Sequence, residues 1–225
     1  MARPRSDIKP RIVEAARARF LAQGVDGASL RAIARDAGTN IGMIVYYFPT
    51  KDDLFLSVVE EAYAGIVADM AHLLGATGPA LPRLRQAFCR LGSTSDLEME
   101  VIRLMAREAL SSSARLRRLL ARFMHGHIPL VMATISDGIR NGELDGTIPA
   151  PLILLAVVGL GPLPQLVRRA ARALPLFASL PDAGPLADLS IGLLARTVGG
   201  AKKPARPRRS DRARRERSRT LRKSR

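Results

Sequence analysis

Residues 29–48 read SLRAIARDAGTNIGMIVYYF, and the spacing of the apolar side chains in this stretch decides the fold. Leu30, Ile33, Ala34 and Ala37 fall at i, i+3, i+4 and i+7, the stripe of a helix buried on one side. Ser29 precedes it as an N-cap, its hydroxyl placed to accept from an orphan amide, and Gly38 follows as a stop. Only Gly38-Thr39-Asn40 separates this helix from the next, which runs from Ile41 to about Phe48 with Asn40 as its N-cap; Pro49 ends it. Two short helices joined by a three-residue turn containing glycine form a helix-turn-helix unit.

The second of these helices is unusually decorated. Ile44 and Phe48, four apart, point inward, which leaves Asn40, Ile41, Met43, Tyr46 and Tyr47 largely outside. An exposed Ile-Met-Tyr-Tyr group suits water poorly. It suits a DNA major groove, where apolar atoms meet thymine methyls and hydroxyls meet phosphates. Gly42 weakens the helix by about 1 kcal/mol relative to Ala, a cost that close backbone approach to a duplex would offset.

Working outward, Asp7 is an N-cap with Lys9-Pro10 in the first turn. Ile12, Ala16 and Phe20 repeat every four residues, and Gly24 is the stop. Thr50 caps a long fourth helix whose first turn carries Asp52 and Asp53, acids favoured at the positive end of the helix dipole. Leu54, Val58, Ala62 and Ile66 line one side of it to about Leu74. Past a turn-rich joint at 75–82, the pattern predicts helices over 83–92, 96–111, 114–141, 151–172 and 184–198. The fold class is all-α, with about nine helices. Residues 1–50 form the helix-turn-helix domain, 51–200 a larger helical domain, and 201–225 a tail.

Composition agrees. Hydrophobic residues make up 47% of the chain but aromatics only 4%, with no Trp, so the core is built from Ala, Leu, Ile and Val. The net charge of +16 is unevenly spread. Residues 202–225 hold 13 Lys/Arg against 2 Asp/Glu, a surplus of 11, so the body is only mildly basic. A tail this polar cannot bury enough surface to offset its ordering entropy, and disorder is its expected state. It offers either added non-specific affinity for nucleic acid or a dispensable, solvated terminus.

Several function classes find no support in the residues. Cys89 is the single cysteine and reads as a small apolar residue. His125 and His127, two apart on the predicted helix, would diverge, so no metal site is expected. No catalytic triad, phosphate loop or zinc spacing appears, and neither enzymatic activity nor a cofactor is expected. The N-terminus carries no apolar stretch of the secretory kind, which points to a cytoplasmic protein. Residues 146–167 lack charge, but Pro149, Pro151, Pro162 and Pro164 leave a run of only about 11 helical residues where a membrane span needs roughly 20. The expectation is a helix buried in protein, with no membrane partner.

The sequence also carries a resemblance. Arg11-Ile-Val-Glu-Ala-Ala, Phe20, Gly24, Ser29-Leu-Arg-Ala-Ile-Ala, Ala37-Gly38, Gly42, Tyr47-Phe48 and Lys51-Asp-Asp-Leu-Phe resemble the TetR family DNA-binding domain in order and spacing. The resemblance implies that Ser29 bonds a phosphate and that Arg31 lies near the backbone. It implies that Asn40, Ile41, Gly42 and Met43 form the base-reading start of the recognition helix. Tyr46 and Tyr47 would touch phosphate and base, and Lys51 phosphate. Val45 departs from the family's usual Tyr, Thr39 from a usual Val, and Ile41 from a frequently polar residue, so the operator sequence does not carry over from relatives.

Beyond about Leu74 the resemblance implies a ligand cavity among helices four to seven and a homodimer formed by the last two helices. Residues 152–161 and the Leu186, Leu189, Ile191, Leu194 pattern are the expected pairing face. Phe88, Met99, Met105, Phe123 and Met124 are candidate cavity residues for a small apolar effector, with Arg103 and His127 as polar contacts, although for any one of them ordinary core is the stronger reading. The expected function is a ligand-responsive regulator, a repressor released from a palindromic double-stranded operator. The alternatives are a sequence-independent nucleic-acid binder acting through the basic tail, and a helical enzyme centred on Arg103 to His127.

Overall fold

A computed structural model describes residues 7–171 and 174–200. The expectations attached to 201–225, disorder and nucleic-acid contact, lie outside the described residues. Among the described residues the chain is helical, with a single isolated bridge between Leu144 and Gly199 and no strand. In order, the helices are α1 Ile8–Gly27, α2 Leu30–Asp36, α3 Ile41–Tyr47, α4 Lys51–Gly75, α5 Ala80–Gly92, α6 Asp96–Ser111, α7 Ser113–His125, α8 Ile128–Arg140, α9 Ala150–Leu160, α10 Pro162–Ala170, α11 Pro175–Ala178 and α12 Ala183–Val198.

Local chemistry explains the boundaries. Gly24 adopts φ 76°, the left-handed conformation that suits glycine, and kinks α1 before its last turn. Asn40 caps α3, its side-chain oxygen accepting from the Met43 amide at 3.0 Å. Thr50 and Asp53 close a reciprocal capping box at the start of α4, and Ser95 and Glu98 do the same for α6. Ser29 departs from expectation. It sits at the N-cap of α2 in extended geometry, yet its side chain makes no capping bond.

Two predicted helices are each broken in two. The 114–141 segment divides at Gly126 into α7 and α8, and the 151–172 segment divides at Gly161 into α9 and α10. In both cases proline opens the next helix, where its missing amide is harmless, while a continuous helix would clash with the pyrrolidine ring. With the short α11, these breaks account for twelve helices among the described residues where nine were expected. Residues Ala150–Ala170 are long and apolar enough by composition to cross a membrane, but the break leaves helices of 11 and 9 residues.

Two cores organise the packing. Ile12, Phe20, Ile33, Ile44 and Phe55 are fully buried in the first, where the Phe20 and Phe55 rings meet edge-on at 6.4 Å. Ile66, Phe88, Ile135, Ile153 and Leu194 belong to the second. Helix α4 runs through both: Leu54 to Val59 lie in the first core and Ile66 to Leu74 in the second. It is the rod joining the helix-turn-helix to the rest. Helix α9 corrects an expectation. Only Ile153 and Val157 are buried, while Leu152, Leu155 and Val158 are exposed, so the charge-free helix presents an apolar face outward.

Candidate nucleic-acid interface and ligand cleft

The short helix α3 is held from behind. Ile44 and Phe48 are buried as their spacing predicts, against a core that includes Ile33, Ala34 and Ala37 of the α2 segment. This anchoring fixes what the other side displays: Asn40, Ile41, Gly42, Val45 and Tyr46 are exposed, Tyr46 at 77%. Met43 and Tyr47 are half-buried, and Tyr47 packs partly on the core. Its ring meets Tyr46 edge-on at 5.1 Å, so the two form one aromatic ridge with differing exposure. Val45, half exposed, widens the apolar part of this surface.

The flanking groups complete the surface. Gly38 turns at φ 60°, and its neighbour Ala37 accepts a hydrogen bond from the Arg11 guanidinium, which stiffens the turn between α2 and α3. A Cβ on Gly42 would lie 3.1 Å from the Asn40 side-chain oxygen, so this glycine makes room for the cap as well as for close approach. Ser29, whose hydroxyl makes no capping bond, and Arg31 are exposed on α2. Lys51 donates to the Asp26 carbonyl at 3.0 Å, which pins the start of α4 to the end of α1 without neutralising the ammonium. The nine sequence-predicted residues therefore lie in or next to the two helices and the first turn of α4, and the exposed ones make a polar-rimmed apolar patch without a carboxylate among them.

The seven candidate cavity residues are not brought together. Phe88 lies in the second core, and Met99 and Met105 are buried between elements. Met124 points to solvent. Arg103 borders a small crevice with Leu21 and Arg107. Only Phe123 and His127 line the larger cleft, of about 450 Å³, which opens between α4 and the α7–α8 junction. The lining that spacing missed comes from α4: Val59, Tyr63, Ala64, Val67, Ala68 and Ala71. Their signal was a second face of small apolar residues beside the core stripe of that helix.

The break at Gly126 shapes this cleft. His125 ends α7 and bonds the Ala121 carbonyl at 2.8 Å, whereas His127 precedes α8, so the two no longer share a helix and both border the cleft. Tyr63, Phe123 and His127 pack ring to ring at 5.3–5.7 Å. Burial pushes the Tyr63 phenol up to about 12 and holds the His127 imidazole below its ordinary value, so both are neutral at pH 7. The His127 Nδ1 is buried without a hydrogen-bond partner among the described residues. The cleft is mostly apolar, with Glu60, Arg122, His125 and His127 as the polar side chains in its lining.

A pH dependence follows from His127. In the unfolded chain the imidazole protonates near pH 6.5, above its folded value. Stability at neutral pH should therefore fall as pH drops below about 6.5 and the unfolded chain takes up the proton first. Melting temperatures measured from pH 7.5 to 5.5 should decline less in His127→Gln than in the unaltered protein; parallel declines would remove His127 as the cause.

Comparison with known proteins supplies context. Residues 12–58 match the model for bacterial regulatory proteins of the tetR family. The probable HTH-type transcriptional regulator YttP of Bacillus subtilis is 26% identical over 160 residues, covering 70% of this chain and 77% of the relative. The HTH-type transcriptional repressor SCO4008 of Streptomyces coelicolor is 29% identical over 154 residues, 68% of this chain and 75% of the relative. Among solved structures, FadR from Bacillus subtilis in complex with stearoyl-CoA superposes with a TM-score of 0.65 at 19% identity, covering 83% of this chain and 97% of that one. At that identity the likeness is one of fold.

Proposed function

We propose that the chain is a ligand-responsive DNA-binding regulator of the TetR family, a cytoplasmic homodimeric repressor released from a palindromic operator by a small apolar effector. The observation that carries the DNA reading is α3 itself, a helix riveted by Ile44 and Phe48 whose free side presents Asn40, Ile41, Gly42, Val45 and Tyr46. A helix displayed this way is shaped for a major groove. Asn40 has an amide donor left for a base edge, because its oxygen is spent on the cap. Ile41, Val45 and the half-exposed Met43 offer apolar contact to thymine methyls, while Tyr46, Tyr47, Ser29, Arg31 and Lys51 supply phosphate donors.

Dimerisation follows from the outward faces of α9 and α12. Leu152, Leu155 and Val158 on one helix and Leu189 and Leu193 on the other are exposed and apolar, whereas Leu186 and Leu194 of the expected pairing pattern are buried in the protomer and correct that part of the expectation. Pairing two copies through these faces would present two α3 helices to half-sites spaced at a multiple of about 34–36 Å. The α4 cleft supports an apolar effector, and the acyl chain of the stearoyl-CoA held by the FadR structure is of that chemistry, whereas its anionic CoA moiety is not.

Footprinting on the DNA upstream of the coding region tests the reading. The protein should protect an inverted repeat. A Tyr46→Ala, Tyr47→Phe variant removes both hydroxyls while leaving the half-buried Tyr47 ring in place, so it should melt as the unaltered protein does. Each lost hydroxyl–phosphate bond should weaken protection by about tenfold or more, since hydrogen bonds to charged groups contribute about 1.5–3 kcal/mol. Undiminished protection in the variant would overturn the assignment of α3.

A further inference from the structure

Helix α3, Ile41–Tyr47, holds no Arg, Lys, Gln, Asp or Glu. Those are the side chains that ordinarily tell three of the four bases apart. Guanine is read by an arginine or lysine donating to O6 and N7, and cytosine by a carboxylate accepting from its amine. Adenine is read by an asparagine or glutamine that donates to N7 and accepts from the adenine amine. Asn40, at the start of α3, is committed elsewhere: its Oδ1 accepts from the Met43 amide at 3.0 Å, and turning that oxygen out to an adenine would break the cap. The nearby cations are also placed for other work. Arg31 and Arg35 are exposed on α2, the helix that crosses the phosphate backbone in a helix-turn-helix. The Arg11 guanidinium donates to the Ala37 carbonyl, and Lys51 to that of Asp26.

What α3 does present is hydrocarbon. Ile41 and Val45 lie four apart, so they share one side of the helix, and both are exposed. Burial of Ile44 and Phe48 on the opposite side fixes the direction in which that pair faces. Both exposed residues are β-branched and stiff at χ1, so little side-chain freedom remains to be lost on contact. Gly42, beside Ile41, puts no side chain between the backbone and an approaching surface. In the major groove the apolar feature that distinguishes one base from the others is the C5-methyl group of thymine. The hydroxyl of Tyr46 both donates and accepts, so it discriminates little among base edges.

We propose that Ile41 and Val45 are the specificity-determining residues of the reading head, and that they select the operator by packing on thymine C5-methyl groups. The proposal rests on the regulator reading above and adds the base chemistry of the target. Each half-site carries thymines, on either strand, where α3 enters the groove. Phosphate contacts from Ser29, Arg31, Tyr46 and Lys51 supply affinity common to every sequence, and the methyl contacts supply the preference for one. Removing a methyl group from the DNA and removing the hydrocarbon that meets it from the protein are then the same loss, counted once.

Deoxyuridine provides the test, because it pairs as thymidine does and lacks only the methyl group. Duplexes selected by the full-length protein from a random-sequence library are remade with deoxyuridine at one thymine position at a time. Affinities are compared at one salt concentration, since phosphate contacts make binding salt-dependent. At the positions under α3, each lost methyl should weaken binding about fourfold, and about fifteenfold when the matching thymine is replaced in both half-sites. Ile41→Ala should weaken binding to the thymine duplex by a similar factor and erase the deoxyuridine penalty at one position; Val45→Ala should erase it at another. Both side chains are exposed, so both variants should melt as the unaltered protein does. Deoxyuridine that is harmless at every position, or penalties that persist in full in both alanine variants, would overturn the proposal. A library from which no sequence is enriched would instead fault the DNA reading itself, and the proposal with it.

Discussion

Leu155→Arg should leave the chain folded but monomeric, and its operator footprint should vanish at concentrations where the unaltered protein protects both half-sites. In the protomer Leu155 is 66% exposed on α9, so an arginine there meets solvent and disturbs no core contact. Surface changes of this kind alter stability by about 0.5 kcal/mol or less. In the proposed dimer the same position lies against a second apolar helix, among Leu152, Val158, Leu189 and Leu193. Residues 146–167 contain no acid to pair an incoming guanidinium, and leaving a buried charge unpaired costs about 3–5 kcal/mol. The symmetry of the pair doubles the insult, because each α9 brings one arginine. Operator binding should fall further than α3 chemistry alone dictates, since separating two linked heads forfeits an avidity of about 10²–10⁴. Sedimentation velocity and footprinting on the same samples provide the check, with Leu155→Ala as a milder control. A Leu155→Arg protein that sediments as a dimer would move the interface away from α9.

The reading head was legible because its determinants act over a few residues. The stripe Leu30, Ile33, Ala34 and Ala37, the Asn40 cap, the Gly38 turn and the inward pair Ile44 and Phe48 need no distant partner to be recognised. The breaks at Gly126 and Gly161 are harder to read for a related reason. Glycine alone costs a helix only about 1 kcal/mol, so each looked tolerable until the proline behind it was counted. The cleft was not legible. Its α4 lining is alanine and valine, which announce no chemistry, and its opposite wall is placed by arginine–carboxylate rungs that bridge some sixty residues of sequence. Methionine is ambiguous in the sequence. Met99 and Met105 have the adaptable side chains of a ligand pocket, but α6 turns both into the packed interior, and only tertiary contacts decide between the two uses.

Phe88 makes that distinction measurable. Its side chain is 2% exposed, and its ring lies under the junction of α9 and α10, where a Cβ added to Gly161 would come within 2.1 Å of it. The backbone of one helix junction is seated directly on the ring, which is why that junction requires glycine. Phe88→Ala would empty this seat, and the surrounding α5, α9 and α12 residues are too closely interlocked to collapse into the space. The expected cost is about 3–5 kcal/mol, the range for removing a buried phenylalanine. For a chain of this size each kcal/mol lowers the melting temperature by about 2–4 °C, so calorimetry should register a fall of roughly 6–20 °C. Uptake of an apolar fluorescent probe by the α4 cleft, measured well below that transition, should be unchanged if Phe88 is core, because that cleft does not include it. Phe123→Ala should invert the pattern, with a smaller thermal loss from a half-buried ring and a clear change in affinity at the cleft. Weakened binding in Phe88→Ala with little thermal loss would return Phe88 to the ligand site and transfer the effector from the α4 cleft to the body interior.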